Sequence, residues 1–148
     1  MSLPLKTKRL SENAKLPTKV RKKDAGFDLY CVADNEFAED GFRFLPGQIK
    51  RFKTDVAIAA PDGYMLLLED RSGMGNKGVT KFAGVIDQLY TGEIQVILCN
   101  LSKDVVTIKP GDRIIQFLVL PVPDVEVVEV DNLDETDRGD KSFGSSGA

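Results

Sequence analysis

Turn residues recur along this chain about every ten residues, and they constrain its fold more than any other sequence feature. Signals such as Pro61-Asp62-Gly63 and Pro110-Gly111 separate short runs rich in Val, Ile, Leu and Phe. The sequence has no long amphipathic helical pattern, and only a short helix near 74–77 is expected. This regular spacing of turns predicts an all-β sandwich or barrel, with strands over 48–60 and 125–130.

Composition limits the classes of protein that this chain can represent. Its 148 residues fit one domain, which can bury roughly 70% of the surface of the unfolded chain. The formal net charge of −3 argues against stable nucleic-acid binding. Apolar runs stay well short of the ~20 residues of a membrane span, and the N-terminus lacks a signal-peptide pattern. We therefore expect a cytoplasmic protein, in a bacterium or in a virus-infected host cell, whose Cys31 and Cys99 are buried thiols.

The sequence contains no histidine, which narrows the available chemistry. Ser-His-Asp triads, Cys-His pairs and His-based zinc sites are all excluded. If the protein is an enzyme, its general base is expected to be a carboxylate. If it uses a metal, oxygen ligands are expected, and these favour Mg²⁺ or Mn²⁺.

Residues 81–100 are predicted to form a hairpin. Phe82, Val85 and Ile86 enter a Gly-containing turn, and the β-branched run 93–99 leaves it. Asp87 lies at the mouth of this hairpin, with Tyr90 close behind it. The alternative is an ordinary turn, in which Asp bonds to its own backbone.

A Gly-rich loop over 69–78 permits several interpretations. Gly73, Gly75 and Gly78 match the dinucleotide pattern GxGxxG, but that motif must open a helix, whereas the residues after Gly78 favour a strand. A P-loop would need a lysine at the position of Val79. The remaining interpretation is a phosphate-binding loop, in which Arg71 supplies a guanidinium group and the following residues supply backbone N–H groups.

Polar residues within apolar strands, and the C-terminal tail, are further candidates. Asp28 either faces solvent or holds hydrated Mg²⁺, and Gln116 either points outward or contacts a ligand. The tail has the composition of a Gly/Ser linker. It also carries Arg138 and Phe143, which could bind phosphate and stack on a base as a nucleotide clamp.

These stretches together resemble the five motifs of the homotrimeric deoxyuridine triphosphatase (dUTPase) family, in the family's order. They are AGFDL at 25–29, RSGMG at 71–75, GVIDQLYTG at 84–92, GDRIIQ at 111–116 and RGDKSFGSSG at 138–147. The resemblance implies a distorted jelly-roll or β-barrel that assembles as a homotrimer, with each active site built from all three chains. It also implies a core over 1–133 and a flexible C-terminal arm over 134–148 that closes over an active site.

The resemblance further implies Mg²⁺-dependent hydrolysis of dUTP to dUMP and pyrophosphate, which keeps uracil out of DNA and supplies dUMP for thymidylate synthesis. By this likeness Asp87 orients the attacking water, Tyr90 packs under the deoxyribose and Asp28 binds Mg²⁺ through water. The implied substrate-binding residues are Arg71, Ser72, Gly73 and Gln116 at the phosphates, Lys81, Gly84, Val85, Ile86 and Gln95 near uracil, and Arg138, Phe143, Gly144 and Ser145 in the tail.

The sequence departs from the family's pattern at Leu89, where many members have Asp, and at Lys81, where some have Asn. The spacer 140–142 is also less Gly-rich than usual. Two alternatives stay open. A deoxycytidine triphosphate deaminase relative would need a carboxylate to act on cytosine, and Glu93 is the candidate near the hairpin. A non-catalytic nucleotide-binding jelly-roll is the other.

Overall fold

The computed structural model describes residues 2–136 and 139, and their regular secondary structure is almost entirely β-strand. Its elements are β1 (Lys6–Arg9), β2 (Phe27–Tyr30), β3 (Phe42–Phe44), β4 (Ile49–Phe52), β5 (Val56–Ala59), β6 (Tyr64–Glu69), α1 (Ser72–Gly75), β7 (Val79–Phe82), β8 (Val85–Ile86), β9 (Val96–Asn100), β10 (Val106–Ile108) and β11 (Arg113–Pro121). The all-β prediction is confirmed, and the short helix begins two residues earlier than expected. Among these residues, no helix is long and apolar enough to cross a membrane.

The strands form two larger sheets and two strand pairs. A four-stranded sheet has the order β2-β11-β6-β8, and a three-stranded sheet has the order β4-β9-β7. The pairs are β1-β5 and β10-β3, and all of these pairings are antiparallel. The nine-residue strand β11 pairs with β2 on one side and with β6 on the other, so it joins distant parts of the chain.

The core is apolar and rich in phenylalanine. In β3, Phe42 and Phe44 are buried while Arg43 between them is exposed, as the alternation of side chains along a strand requires. Phe44 and Phe52 meet edge to face with ring centroids 5.5 Å apart. Burying each such ring stabilises the fold by about 1.5–3 kcal/mol. The two cysteines are buried free thiols, as predicted.

A buried lysine lies beside this aromatic cluster. The Lys50 side chain is only 5% exposed. Its ammonium donates hydrogen bonds to Asp34 Oδ2 at 2.8 Å and to Glu36 Oε1 at 2.6 Å. The same group lies 4.8 Å from the Phe42 ring centroid. The paired carboxylates and the aromatic face together offset the cost of removing the charge from water.

Residues 48–60 form two strands, so the prediction of one strand there is wrong. Asp55 interrupts them with a positive φ of 51°. Glu93 Oε1 accepts hydrogen bonds from the backbone N–H groups of Thr54 and Asp55 at 3.3 and 3.0 Å. The Glu93 carboxylate thereby binds backbone N–H groups that a continuous strand would have paired with a neighbouring strand. The chain turns here from the three-stranded sheet, which contains β4, to the β1-β5 pair.

The strand predicted over 125–130 is absent from this chain. Val125, Val127, Val128 and Val130 are between 55% and 98% exposed. Valines favour extended backbone, but a strand also needs a neighbour that can accept and donate its ladder hydrogen bonds. No other segment among the described residues lies alongside this one as a strand.

The predicted hairpin is only partly correct. Strand β7 does pair with β9, with Phe82 opposite Ile97. After the two intervening residues, Val85 and Ile86 instead form β8, which pairs with β6 in the other sheet. Ala83 and Gly84 have φ values of 62° and 137°, and this left-handed backbone turns the chain between the sheets.

Candidate active site

Three of the sequence motifs meet at one cleft because their strands are neighbours. Gln116 on β11 lies opposite Asp28 on β2 and opposite Glu69 at the end of β6. The loop that follows β6 therefore starts beside both residues. The resulting cleft has a volume of about 340 Å³ and is lined by Val20, Asp24, Ala25, Gly26, Asp28, Arg71, Ser72, Gln116 and Leu118.

Asp28 is the electrostatic centre of this cleft. Arg71 Nε donates to its Oδ1 at 2.6 Å, and Arg113 Nη1 donates to its Oδ2 at 3.1 Å. The Asp28 side chain is 10% exposed, so the interpretation as a solvent-facing strand residue is wrong. Asp28 and its two guanidinium partners together carry a net positive charge, and Asp24 is a second carboxylate at the cleft.

The amide of Gln116 is fixed within the cleft. Its Nε2 donates to the backbone oxygen of Asp70 at 2.9 Å. A Cβ atom at Gly26 would collide with Gln116 Oε1, so a larger residue there would displace the Gln116 amide from this position. Asp70 in turn accepts the N–H of Lys81 at 2.8 Å and the hydroxyl of Thr80 at 2.6 Å. The loop after β6 is thereby tied to β7.

Ser72 and Gly73 begin the short helix at the edge of the cleft, and both are exposed. The backbone oxygen of Arg71 accepts the N–H groups of Met74 and Gly75, each at 2.9 Å. Because the first N–H groups of a helix have no partner within it, those of Ser72 and Gly73 remain for other acceptors. This local geometry fits the predicted phosphate-binding loop.

The hairpin mouth presents its polar groups to solvent. Asp87 is exposed, and its backbone oxygen accepts the N–H of Tyr90 at 3.0 Å in a turn. The Tyr90 hydroxyl donates to the backbone oxygen of Glu93 at 2.7 Å. A Cβ atom on Gly92 would lie 2.8 Å from this hydroxyl, so the ring packs closely on a glycine. Tyr90 is therefore held in place while 45% of it stays exposed.

Glu93 is committed to the fold. One carboxylate oxygen holds the backbone between β4 and β5, and the other accepts Gln95 Nε2 at 2.7 Å. A carboxylate so engaged is a poor candidate for chemistry on cytosine, which disfavours the deaminase alternative. The Gln95 side chain lines a different cleft with Lys50, so its predicted place near uracil remains a prediction about its backbone.

The predicted site residues thus fall into two groups. Asp28, Arg71, Ser72 and Gln116 line the cleft, which we call the phosphate cleft, and Gly73 follows Ser72 without lining it. The second group lies around the hairpin and does not line that cleft; it comprises Lys81, Gly84, Val85, Ile86, Asp87, Tyr90 and Gln95. Arg138, Phe143, Gly144 and Ser145 lie outside the described residues.

The sequence interpretation missed Arg113 and Asp70 as parts of this site. Arg113 lies within the GDRIIQ motif, three residues before Gln116. Strict strand alternation places residues three apart on opposite faces, so nothing suggested that both face Asp28. Asp70 acts through its backbone oxygen and by anchoring β7, roles that residue type alone does not reveal.

Among residues 2–136 and 139, no three His, Cys, Asp or Glu side chains are grouped closely enough to hold a metal ion. Mg²⁺ does not require such a group, because it commonly binds through one or two carboxylates, substrate phosphates and water. Each carboxylate oxygen can accept more than one hydrogen bond. Asp28 can therefore also hold a metal-bound water, although its charge is already balanced by two arginines.

Comparison with known proteins places the chain in a family. The family model described as dUTPase matches residues 12–147. The deoxyuridine 5′-triphosphate nucleotidohydrolase of Hydrogenobaculum sp. is 42% identical over 148 residues, covering 98% of this chain and 99% of that protein. That of Gloeobacter violaceus is 40% identical over 142 residues, with 94% and 93% covered.

A solved structure agrees in fold over nearly the whole chain. It is a dUTPase mutant from Staphylococcus bacteriophage 80alpha with dUpNHpp, and it is 28% identical to this chain. It matches with a TM-score of 0.85 over 99% of this chain and 100% of its own. The predicted jelly-roll class is thereby confirmed. Because the family model matches residues 12–147 and three of the motifs meet at one cleft, the chain belongs to the dUTPase family.

Proposed function

We propose that this protein hydrolyses dUTP to dUMP and pyrophosphate. The observation that carries the proposal is the phosphate cleft, where Asp28, Arg71 and Gln116 meet from three separate motifs. The dUTP nucleotidohydrolase relatives support it, because they match this chain over almost its whole length. This activity would keep uracil out of DNA and supply dUMP for thymidylate synthesis.

The phosphate cleft would bind the triphosphate. Arg71 uses Nε to hold Asp28 and one N–H of Nη1 to hold the backbone oxygen of Arg113, which leaves Nη2 and the second N–H of Nη1 for phosphate oxygens. Ser72 and Gly73 would add hydroxyl and backbone N–H donors, and the Gln116 side chain lines the same space. Donors fixed in advance stabilise the charge that develops on the phosphates without reorganising during the reaction.

The hairpin would supply the base, the sugar contact and the uracil contact. Asp87 would accept a proton from the attacking water as the anhydride between the α- and β-phosphates breaks and pyrophosphate leaves. The Tyr90 ring would occupy the space of a 2′-hydroxyl. Backbone groups from Gly84 to Ile86 and near Gln95 would bind the uracil edge, with Lys81 close to the base. A site that hydrogen-bonds one base edge rejects the wrong edge by ~10⁴ or more.

Mg²⁺ is proposed as the cofactor. When bound, it would neutralise phosphate charge and orient the triphosphate. The solved structure of a mutant dUTPase from phage phi11 of S. aureus shows the coordination of a structural Mg(II) ion. In this chain Asp28 is the proposed ligand, acting through water.

We also propose a homotrimer with shared active sites. Asp87 does not line the phosphate cleft of its own chain, so a neighbouring chain is the natural source of that group. Val85 and Leu89 beside it are 62% and 89% exposed. The valines of 125–130 are also largely exposed. A ring of three chains could cover such surfaces, because head-to-tail contacts that close place different surfaces together.

The C-terminal arm over 134–148 is proposed to complete the site. Arg138 would bind the γ-phosphate, and Phe143 would cover the base with Gly144 and Ser145 beside it. The remaining proposals are a cytoplasmic location, no membrane association and no stable nucleic-acid binding. The net charge of −3 supports the last of these.

One assay tests the activity and its rivals together. Each deoxynucleoside triphosphate is offered separately with Mg²⁺, and pyrophosphate and ammonia release are both measured. We expect pyrophosphate from dUTP and little from dCTP or dTTP. Ammonia from dCTP would support the deaminase alternative. Saturable binding of dUTP without either product would support a non-catalytic binding module and overturn the proposal.

A further inference from the structure

We propose that Arg113 is a positioning residue for the phosphate cleft, which fixes the guanidinium of Arg71 through Asp28. The inference deepens the proposed function and rests on it, because it assumes that the cleft binds phosphate. Arg113 is not one of the residues that line the cleft. Its influence on a phosphate must therefore pass through the groups that do.

A β-bulge in β11 brings Arg113 to the correct face. Gln116 pairs with Asp28 and Ile115 with Leu29, but Arg113 pairs with Tyr30, so one extra residue stands between them. Asp28 and Tyr30 are two apart on a strand and share a face, and antiparallel partners face the same way. Arg113 therefore shares the face of Gln116, although regular alternation would separate them.

Burial of the intervening residues supports this description. Ile114 and Ile115 are adjacent in sequence, yet both are 0% exposed. Two consecutive buried side chains are what a bulge permits, because the extra residue turns without a partner on the opposite strand. Without the bulge, Arg113 would lie on the side of the core, and its charge could not be accommodated there.

Arg113 then holds Arg71 in two ways. Its Nη1 donates to Asp28 Oδ2 at 3.1 Å, while the other oxygen of Asp28 accepts Arg71 Nε at 2.6 Å. Its backbone oxygen also accepts Arg71 Nη1 at 3.1 Å. Arg71 is the less exposed of the two guanidinium side chains, at 22% against 42%. The contacts thus fix the orientation of Arg71 from two directions.

The charge of Arg113 matters as much as its geometry. Asp28 with Arg71 alone forms a neutral pair, which attracts an anion weakly. The second guanidinium balances Asp28 and leaves the charge of Arg71 available for a phosphate. Loss of Arg113 should therefore weaken phosphate binding even when Arg71 is intact.

The experiment uses the full-length protein and inorganic pyrophosphate as the probe, with binding measured by calorimetry. Arg113→Gln is expected to weaken pyrophosphate binding about tenfold, the size of a lost charge-assisted contact, and to leave deoxyuridine binding unchanged. The pyrophosphate affinity of Arg113→Lys should lie between those of the unaltered chain and Arg113→Gln, because lysine keeps the charge but lacks the planar fork. Arg43→Gln, which removes the same charge from an exposed position on β3, should bind like the unaltered chain.

A double-mutant cycle distinguishes positioning from direct contact. If Arg113 acts mainly through Arg71, then Arg113→Gln should weaken pyrophosphate binding less in the Arg71→Gln background than in the unaltered chain, because only its effect on the charge of Asp28 remains there. Additive losses would show that Arg113 contacts phosphate itself and would overturn the proposal. Unchanged pyrophosphate affinity in a folded Arg113→Gln variant would also overturn it. If Arg113→Gln does not fold, an unchanged pyrophosphate affinity in Arg113→Lys would overturn the proposal instead.

This test is separate from the test of the proposed activity. Pyrophosphate binding needs no turnover, so failure of dUTP hydrolysis alone leaves the positioning experiment readable. Absence of pyrophosphate binding by the unaltered chain would overturn the positioning role of Arg113. In that case dUTP turnover would still be decided by its own assay.

Discussion

The phosphate cleft and the hairpin mouth differ in how completely one chain builds them. In the cleft, Asp28, Arg71 and Gln116 each have fixed partners, and β11 joins the strands that carry them. At the hairpin mouth, Asp87 is exposed and the neighbouring Leu89 is 89% exposed. The cleft is thus organised before substrate arrives, whereas the hairpin presents its groups outward. Groups that one chain leaves outward are those that a second chain can use.

The largest expected effect falls on the hairpin. Asp87→Asn should reduce kcat by about 10³-fold, because an amide cannot accept the proton of the attacking water. Binding of dUTP should survive, since the cleft is unaltered. The measurement is pyrophosphate release together with calorimetry, and Asp40→Asn serves as an exposed control of the same kind. Near-normal release from the Asp87 variant would remove it from the chemistry.

A mixing experiment tests whether the two regions meet across chains. Asp87→Asn and Arg71→Gln chains are unfolded together and refolded as mixed trimers. If a site takes its cleft from one chain and its hairpin from another, random mixing should leave about a quarter of the sites intact. If both regions come from the same chain, every site keeps one defect.

Each parent refolded alone provides the control for this experiment, and sedimentation must show three chains in every sample. Recovered dUTP turnover in the mixture alone supports sites shared between chains. A verified mixed trimer without recovered activity contradicts them.

A smaller effect concerns the sugar. Tyr90→Ala should raise the efficiency on UTP relative to dUTP by roughly 10–100-fold, because the space proposed to exclude a 2′-hydroxyl is opened. Tyr90→Phe keeps the ring and loses only the hydrogen bond to Glu93, so it should still reject UTP. The measurement is kcat/KM for both nucleotides. An unaltered protein that already cleaves both equally well would refute this role.

The smallest effect on activity should come from Lys50, which takes part in neither region. Lys50→Met should leave kcat nearly unchanged and destabilise the fold by about 1–2 kcal/mol, because Asp34 loses its lysine partner while Glu36, whose side chain is 59% exposed, stays hydrated. Urea denaturation measures the free energy of unfolding, with the exposed Lys103→Met as control. A large loss of activity in a stable Lys50→Met variant would break the distinction between site and scaffold.

The same cluster predicts a pH dependence. Burial by itself lowers the pKa of Lys50, but hydrogen bonds to Asp34 and Glu36 outweigh burial and raise it. Burial likewise raises the pKa of Asp34, and the hydrogen bond from Lys50 overcomes this and lowers it. The lysine contribution is complete below about pH 10.4 and is lost as pH rises through the raised pKa. The aspartate contribution is complete above about pH 3.9 and is lost as pH falls through the lowered pKa. Lys50→Met should therefore reduce the pH dependence of the free energy of unfolding at both acidic and alkaline pH.

The sequence predicted those features that depend on local pattern. Turn spacing correctly predicted the all-β fold, the apolar context of Cys31 and Cys99 correctly predicted buried thiols, and the Arg71 loop does line one cleft with Gln116. Features that depend on distant contacts were missed. The break at Asp55 arises from the Glu93 carboxylate, which lies far along the chain.

Two other differences have the same origin. Alternation cannot predict the bulge at Ile114, because it assumes one residue per position on each strand. The valines of 125–130 satisfy strand propensity, but propensity does not supply a neighbouring strand. In both cases the partner strand decides the structure, and a single sequence does not show which strand that is.

The buried thiol of Cys31 offers a way to measure the rate at which this fold opens locally. Burial, with the nearby Asp112 and Asp34 carboxylates, raises the pKa of this thiol to about 12. At pH 8 only on the order of one thiol in ten thousand is then the reactive thiolate, and the side chain is 1% exposed. An alkylating reagent should therefore modify Cys31 only when β2 separates from the core. With enough reagent for alkylation to outpace reclosing, the rate of modification of Cys31 would report how often the strand that carries Asp28 opens.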